Sequence, residues 1–344
     1  MISERMKRIA YAGSDLIMKY KWKAPLVALT YLYVRKKYGM GYGGFRSIDY
    51  ISLSKEQRES FLGIKEYFHR CFRINPYSEL KVLRDKRTII NRLPHYLGRE
   101  CLIEDFADDT AFLEFSKRHT SFFAKKNFTA AGKGIRVFRD IHTEEDRKGA
   151  YRICKEEDLT IIEQFISQHQ VLSTIYPHVV NTIRIHTVRG SDGIQIVLSP
   201  ELYIPSGGER DTVHTTEDRY SLFIDLSSGR LWNKAFTTDR LGIIKHEETS
   251  HRDTGAIFGN ICIPYWEEVK AMVIDAASCI PELAYIGWDV AITPTGPVII
   301  EGNAISGALG NYQIQKSLTN GGYGVRKEYE DMFSLAEKVC EAGR

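Results

Sequence analysis

The stretch GWDVAITPTGPVIIEGN, residues 287–303, constrains this chain more than any other. Two β-like runs flank a turn, and each carries an acid where a core strand avoids one. Trp288, Val290, Val298, Ile299 and Ile300 make the hairpin too apolar to lie bare on a surface. With Pro294-Thr295-Gly296 as a three-residue loop, Pro suits the start of the turn and Gly296 supplies the left-handed residue. That register sets Thr293 against Pro297, Ala291 against Ile299 and Asp289 against Glu301. Side chains alternate with period two, so Asn303 shares the face of the two acids. Like charges directly across a ladder repel, and burying them costs more. A bound divalent cation removes both objections. Two carboxylates and an amide oxygen are hard ligands suited to Mg²⁺, which usually binds substrate phosphates as well. The rival reading is a surface hairpin with two solvated acids.

A site of this kind asks for a phosphate-binding partner. Residues 122–137 read FFAKKNFTAAGKGIRV: a strand delivering Lys125, a small-residue loop, then Gly132, Lys133 and Gly134, and a second strand. Small residues let backbone N–H groups approach phosphate oxygens. This is not a Walker loop, because Ile135 stands where Ser or Thr is needed. Taken alone, the segment is equally a plain hairpin turn. A third piece, IIEQFI at residues 161–166, reads as a connector between lobes. Backbone groups around Glu163 and Gln164 are placed to meet an adenine edge, with Phe165 or Ile166 against its face. A buried strand end explains the same residues equally well.

Around these pieces the chain alternates helical and β-like patterns. Residues 1–80 read as basic and mostly helical, broken at the glycines of residues 39–44, and Lys86 opens a helical pattern that Pro94 interrupts. From residue 181 the β-like runs come close together, with one helix at residues 266–278. Strands joined by turns with helices set aside predict an α+β fold with antiparallel sheets. The expected units are residues 1–80, an N-lobe at 81–165 carrying the glycine-containing loop, and a C-lobe at 166–344 carrying the acids.

Net charge is only +3, so nothing global points to nucleic acid. The charge is uneven: residues 1–46 hold ten Lys and Arg against Glu4 and Asp15. Six scattered cysteines without a C-x-x-C pair fit reduced thiols rather than a disulfide framework or a zinc site. The longest apolar run, Ala24 to Val34, has 11 residues against the roughly 20 needed to span a bilayer. It reads either as a helix packed on the protein's own core or as a basic, aromatic-rich segment resting on anionic lipid or a lipid-linked substrate.

In this order the segments resemble the ATP-grasp fold, in which two α+β lobes clasp ATP. Lys86, in a D-K pair at a helix start, matches the first phosphate-contacting lysine of that superfamily. Lys125, seven residues before Gly132, matches the second. Glu163, Gln164, Phe165 and Ile166 match the adenine-binding hinge, and Asp289, Glu301 and Asn303 match the D…E-x-N metal triad. More narrowly, VNTIRIHTV (180–188), HRDTG (251–255) and the hairpin resemble the sugar-transfer-associated ATP-grasp family, from about residue 80 onward and more loosely before it. Two departures stand out: Lys126 replaces the usual proline after the lysine, and Thr129-Ala130-Ala131 replaces a Ser/Gly-rich loop.

The resemblance implies ATP-dependent ligation of a carboxylate to an amine through an acyl phosphate, with ADP and phosphate released, in the modification of a cell-surface glycan. ATP and Mg²⁺ are the implied cofactors, with Mn²⁺ an alternative. The substrates would be small or glycan-linked carboxylates and amines. Arg184 is expected at the transferred phosphoryl group and His251 at the acceptor amine as a base, with Asn181 and His186 behind them. Acceptor choice is expected in the loops at 206–216 and 251–255. A cytoplasmic protein, peripheral to the inner face of the membrane through its basic N-terminus, fits this reading. The alternatives are a phosphotransferase acting on a sugar hydroxyl and a non-catalytic nucleotide-binding subunit of a glycan-assembly complex.

Overall fold

The computed structural model describes residues 4–129, 134–205, 219–238, 244–305 and 309–342. It is an α+β structure with two antiparallel sheets. Strands β1 (Cys101–Ile103), β2 (Phe122–Lys125), β3 (Ile135–Phe138) and β4 (Ile161–Gln164) form a small sheet in the order β1-β4-β2-β3. The helices Thr110–Arg118 and Glu144–Glu156 pack on it through Phe112, Phe115, Ala150 and Cys154.

The large sheet contains β5 (Thr182–Gly190), β6 (Gly193–Pro205), β7 (Arg219–Phe223), β8 (Ala235–Thr238), β9 (Ile244–Glu248), β10 (Tyr285–Thr293) and β11 (Gly296–Asn303). Their order is β11-β10-β5-β6-β7-β8-β9. Alternation gives the sheet two different faces. Ile183, Ile185, Leu202, Leu222, Trp288 and Val290 enter a core shared with the helix Trp266–Ser278. On the other face Val188, Phe223 and Tyr285 pack against the helices Ile64–Ile74 and Arg326–Ala342. Farther along the same strands that face becomes charged, with Asp289 paired across to Arg184 and Arg184 to Glu201.

The expected lobe boundaries move for a packing reason. Leu80, Leu83, Ile89, Leu93 and Leu97 bury in the core of the large sheet, so the small lobe begins near β1 and not at residue 81. The helix Ile64–Ile74 likewise belongs to the large lobe, because Tyr67, Cys71 and Ile74 share a core with Tyr329 and Phe333. Before it, helices α1 (Glu4–Tyr20) and α2 (Ala24–Tyr38) form a hairpin packed on Phe45, Tyr50 and Phe61. No helix among the described residues is long and apolar enough to cross a membrane.

Asn75, fully buried after the helix Ile64–Ile74, ties that helix to the hairpin strands. Its Nδ2 donates to the carbonyls of Tyr285 and Ala304, both at 2.6 Å. Its Oδ1 accepts from the N–H groups of Ala284 at 2.8 Å and Tyr285 at 3.1 Å. Asn75→Ala orphans four backbone groups, three of them in buried bonds, and is expected to lower stability by about 3 kcal/mol or more in urea unfolding. A loss under about 1 kcal/mol would show that the staple contributes little. His186 generates a pH prediction. Its ring is buried, stacks on Tyr285 at 5.7 Å and 9°, and has no hydrogen-bond partner at either nitrogen among the described residues. Burial first, then the charge of Arg184, push its pKa down from 6.5 to about 3. The unfolded chain therefore takes a proton that the fold refuses, and stability falls as pH drops from 6.5 toward 3. From pH 7 to pH 5 this group costs about 2 kcal/mol. His186→Phe keeps the stack and is expected to flatten that loss; equal urea midpoint shifts in both proteins would exclude His186 as the cause.

Candidate functional site

The turn between β10 and β11 is tighter than the expected three residues. Thr293 pairs with Gly296, leaving Pro294 and Thr295 as the loop. Thr293 Oγ1 donates to the Gly296 carbonyl at 2.8 Å and accepts from Thr295 N–H at 3.2 Å, and Gly296 adopts φ +139°. The ladder continues as Ile292–Pro297, Ala291–Val298 and Val290–Ile299. Continued without interruption, it would set Asp289 against Ile300. A β-bulge at Ile300 takes up that residue, and Asp289 faces Glu301 as expected, with Gly287 opposite Asn303.

Arg99 holds the bulge. Its guanidinium donates to the carbonyls of Ile299 at 2.8 Å, Ile300 at 3.3 Å and Leu97 at 3.0 Å, and its Nε to Glu163 at 3.2 Å. Gly98, at φ +56°, brings the chain close enough for this: a Cβ there would sit 2.2 Å from Val298 Cγ1. Glu163, on β4, also accepts from Lys125 Nζ at 2.6 Å. Burial alone raises the Glu163 carboxyl, but Arg99 and Lys125 outweigh it and hold its pKa at about 2. The small sheet and the hairpin thus share one buried ionic junction.

The two facing acids are electrically unequal. Arg184 grips Asp289 with two hydrogen bonds, Nε to Oδ1 at 2.5 Å and a terminal nitrogen to Oδ2 at 3.0 Å. Glu301 has no cation of its own within ion-pair distance among the described residues. Burial, then the adjacent Asp289, push its pKa up from 4.5 to about 7. Asn303 donates through Nδ2 to the Gly287 carbonyl at 3.4 Å. The charged row continues on β6, where Glu201 is buried and accepts from Ser221 Oγ at 2.9 Å and Tyr203 Oη at 3.1 Å. Burial keeps the Glu201 carboxyl above its usual range.

Two adjoining cavities open on this junction. One, of about 500 Å³, has Lys86, Lys125 and Arg99 on one side and Glu301, Gly302 and Asn303 on the other. The second, of about 210 Å³, is bounded by Gln164, Phe165, Ile166, Phe123 and Asp289. The larger volume suits a small-molecule site, and the smaller adjoins it. Lys86 begins the helix Lys86–Arg92, which Asp85 caps, and its Nζ donates to the carbonyls of Asn127 and Thr129, both at 2.6 Å. Burial lowers the Lys86 pKa. Gly134, at φ +66°, lets the loop after β2 close, with its carbonyl 2.9 Å from Lys126 N–H. Gly132 and Lys133 lie outside the described residues.

The connector after β4 differs from its expected use in two ways. The Glu163 carboxylate is spent on Lys125 and Arg99, while the Gln164 N–H and side chain both bond Glu100. Phe165 packs on Phe123 at 4.5 Å and under the Arg139 guanidinium at 5.1 Å, so its ring already has neighbours. His169 N–H then bonds the Ile292 carbonyl at 2.8 Å and joins the connector to the large sheet.

Three expected residues are structural instead. His251 is fully buried between Tyr176 and Tyr220, with Nε2 2.9 Å from the Pro205 carbonyl and Nδ1 accepting from Asp253 N–H at 3.3 Å. With both nitrogens committed, the expected base is a latch for its own loop. Asn181 is buried and donates to the Leu172 carbonyl at 2.8 Å. His186 is the unpaired core histidine described above. The loop at 206–216 lies outside the described residues. Arg99 and Glu201 were not anticipated. A lone arginine after Gly98 carries no motif, and Glu201 is visible only as an acid within an otherwise β-like run.

The donor set at the acids is oxygen only: two carboxylates and an amide. Among the described residues no group of three His, Cys, Asp or Glu side chains is assembled for a metal. Such a set suits a hard cation of the Mg²⁺ or Mn²⁺ type and not zinc. The pair's uncompensated negative charge is the feature a cation would neutralise.

A sequence model described as sugar-transfer associated ATP-grasp matches residues 68–325. No curated protein matches the chain. Among solved structures, the D-alanine–D-alanine ligase of Bacillus anthracis superposes with a TM-score of 0.47 at 13% identity, over 76% of this chain and 70% of that one. The D-alanine–D-alanine ligase of Coxiella burnetii gives 0.44 at 12%, over 76% and 59%. The biotin carboxylase of Campylobacter jejuni, in its β,γ-ATP complex, gives 0.47 at 14%, over 77% and 48%. These are likenesses of shape, and the family match carries the assignment. Because that match spans well over half of the 344 residues, the chain belongs to the sugar-transfer associated ATP-grasp family.

Proposed function

We propose that the protein is an ATP- and Mg²⁺-dependent ligase that joins a carboxylate to an amine through an acyl phosphate. The observation that carries the reading is the Asp289–Glu301 pair, set face to face where the two cavities adjoin: Glu301 and Lys125 line both, Lys86 lines the larger and Asp289 the smaller. Asp289, Glu301 and Asn303 would hold Mg²⁺, which when bound neutralises phosphate charge and acts as a Lewis acid. Lys86 and Lys125 would hold phosphate oxygens; both lie at the ends of ordered elements. Gln164, Phe165 and Ile166 bound the adjoining cavity, where a base would lie. Arg184 fixes the Asp289 carboxylate and adds positive charge beside the transferred group.

In this reaction a carboxylate oxygen of the substrate attacks the γ-phosphorus and ADP leaves. An amine then attacks the acyl carbon, losing a proton as inorganic phosphate departs. The family's sugar-transfer association supports a substrate attached to, or destined for, a cell-surface glycan. With His251 committed to Pro205, no histidine base is assigned, and the amine proton passes to solvent or phosphate.

Incubation with ATP, Mg²⁺, hydroxylamine and a panel of sugar acids and amino acids is expected to yield a hydroxamate with ADP. EDTA should abolish turnover, and Mg²⁺ or Mn²⁺ should restore it. Glu301→Gln removes one anionic ligand and is expected to lower turnover at least about a hundredfold. A phosphorylated product indifferent to hydroxylamine would transfer the assignment to a phosphotransferase. Unchanged turnover in Glu301→Gln would remove the acids from the reaction.

A further inference from the structure

The α1–α2 hairpin has one face in the protein and another that nothing among the described residues covers. Leu16, Ala24, Val27 and Val34 are buried against Phe45 and Tyr50. On the uncovered side Ile17, Met18, Leu26, Leu29 and Tyr33 are each more than half exposed, and Trp22, at the elbow between the helices, is 82% exposed. Leu26, Leu29 and Tyr33 follow the i, i+3, i+7 spacing of one helix face. Single exposed apolar residues are ordinary; a run of six along one hairpin is not.

The charge around this apolar run is mostly of one sign. Lys21 and Lys23 flank Trp22 and are exposed, as are Arg35, Lys36 and Lys37 at the end of α2. The sequence has no acid between Asp15 and Asp49. Asp15 is turned inward, with Arg46 Nε donating to it at 2.7 Å and Tyr42 also bonding it. Asp49 pairs with Lys19 at 3.8 Å, and no acid among the described residues lies within ion-pair distance of Lys21 or Lys23 at the elbow. A second copy of the chain would bring this basic surface against its own like charge. A nucleic acid would satisfy the lysines and leave Met18, Leu26 and Leu29 in water. An anionic bilayer surface complements both features at once, with phosphates for the basic groups and the headgroup–acyl boundary for the apolar ones.

We infer that the α1–α2 hairpin is an interfacial anchor that lies on an anionic membrane surface, inserting Trp22, Met18, Leu26 and Leu29 between basic groups that contact lipid phosphates. The inference is independent of the ligase reading, because none of these residues lines the cavities. Trp22 is its natural reporter, since Trp266 and Trp288 are buried and Trp232 is partly so.

The full-length protein should co-sediment with vesicles containing about 30% phosphatidylglycerol, and not with phosphatidylcholine alone. Its tryptophan emission should shift to the blue on binding, and ~0.5 M salt should weaken the association. Lys21→Glu with Lys23→Glu, and separately Trp22→Ser with Leu26→Ser, should each weaken binding at least about tenfold. Neither pair should change the far-ultraviolet circular dichroism or ATP turnover in solution. Equal binding to neutral and anionic vesicles, or binding without a Trp22-dependent blue shift, would overturn the inference. So would a dimer that shields Trp22 without lipid, or stronger retention on DNA or RNA than on vesicles.

Discussion

The site depends on one extra residue in β11. Without the bulge at Ile300 the hairpin's two-residue turn would set Asp289 against an isoleucine, and Glu301 would fall out of register with it. A bulge leaves backbone carbonyls out of the ladder, and buried carbonyls need donors. Arg99 supplies them at Ile299 and Ile300 while its Nε bonds Glu163 on the small sheet. One guanidinium therefore completes the bulge, compensates a buried carboxylate and joins the lobes. A lysine, with a single ammonium, cannot span that geometry, because the planar fork presents several donors in fixed directions.

The large sheet shows how one set of strands serves both packing and chemistry. Each of β5, β6 and β10 sends alternate residues into the apolar core, where Trp288, Ile183 and Leu202 lie. The intervening residues change character along the strand. They are apolar at Val188, Tyr285 and Phe223, where helices cover them, and charged at Arg184, Asp289 and Glu201 beyond that cover. The position of the covering helices thus decides where polar side chains can be placed without being orphaned. Asn75 fixes that position by tying one of the helices to the strands it covers.

Much of this was legible from residues because period-two alternation in β10 and β11 is strong, and two acids in such runs have few stable explanations. The facing pair was right although the turn was a residue too long, since turn length and bulge compensate in register. The four strands around the glycine-containing loop and connector were visible in part: β2, β3 and β4 stand out, but β1, three residues of Cys, Leu and Ile, is too short to carry a period. Lobe boundaries were misplaced because residues 80–97 look like any amphipathic helix until the sheet they cover is known. His251 misled for a related reason. A polar ring in a loop signals chemistry only if its nitrogens are available, and the commitment to Pro205 arises from residues 46 positions apart.

The inequality of the two acids is the last consequence of the row across the sheet. Coulomb attraction from Arg184 is largest for the carboxylate directly opposite it, which is Asp289; Glu301, one strand farther out, feels the burial and its acidic neighbour more strongly than any cation. A second arginine beside Glu301 would relieve that burial cost, and it would also occupy the place proposed for a cation. Leaving this half-buried acid without an ion-pair partner destabilises the folded chain by itself, a cost that a ligand bringing positive charge would relieve. The destabilisation is offset at the adjacent junction, where Glu163 is doubly paired. Two neighbouring carboxylates thus stand in opposite environments: Glu163, with two cations, joins the lobes, and Glu301, with no ion-pair partner among the described residues, keeps its charge unpaired.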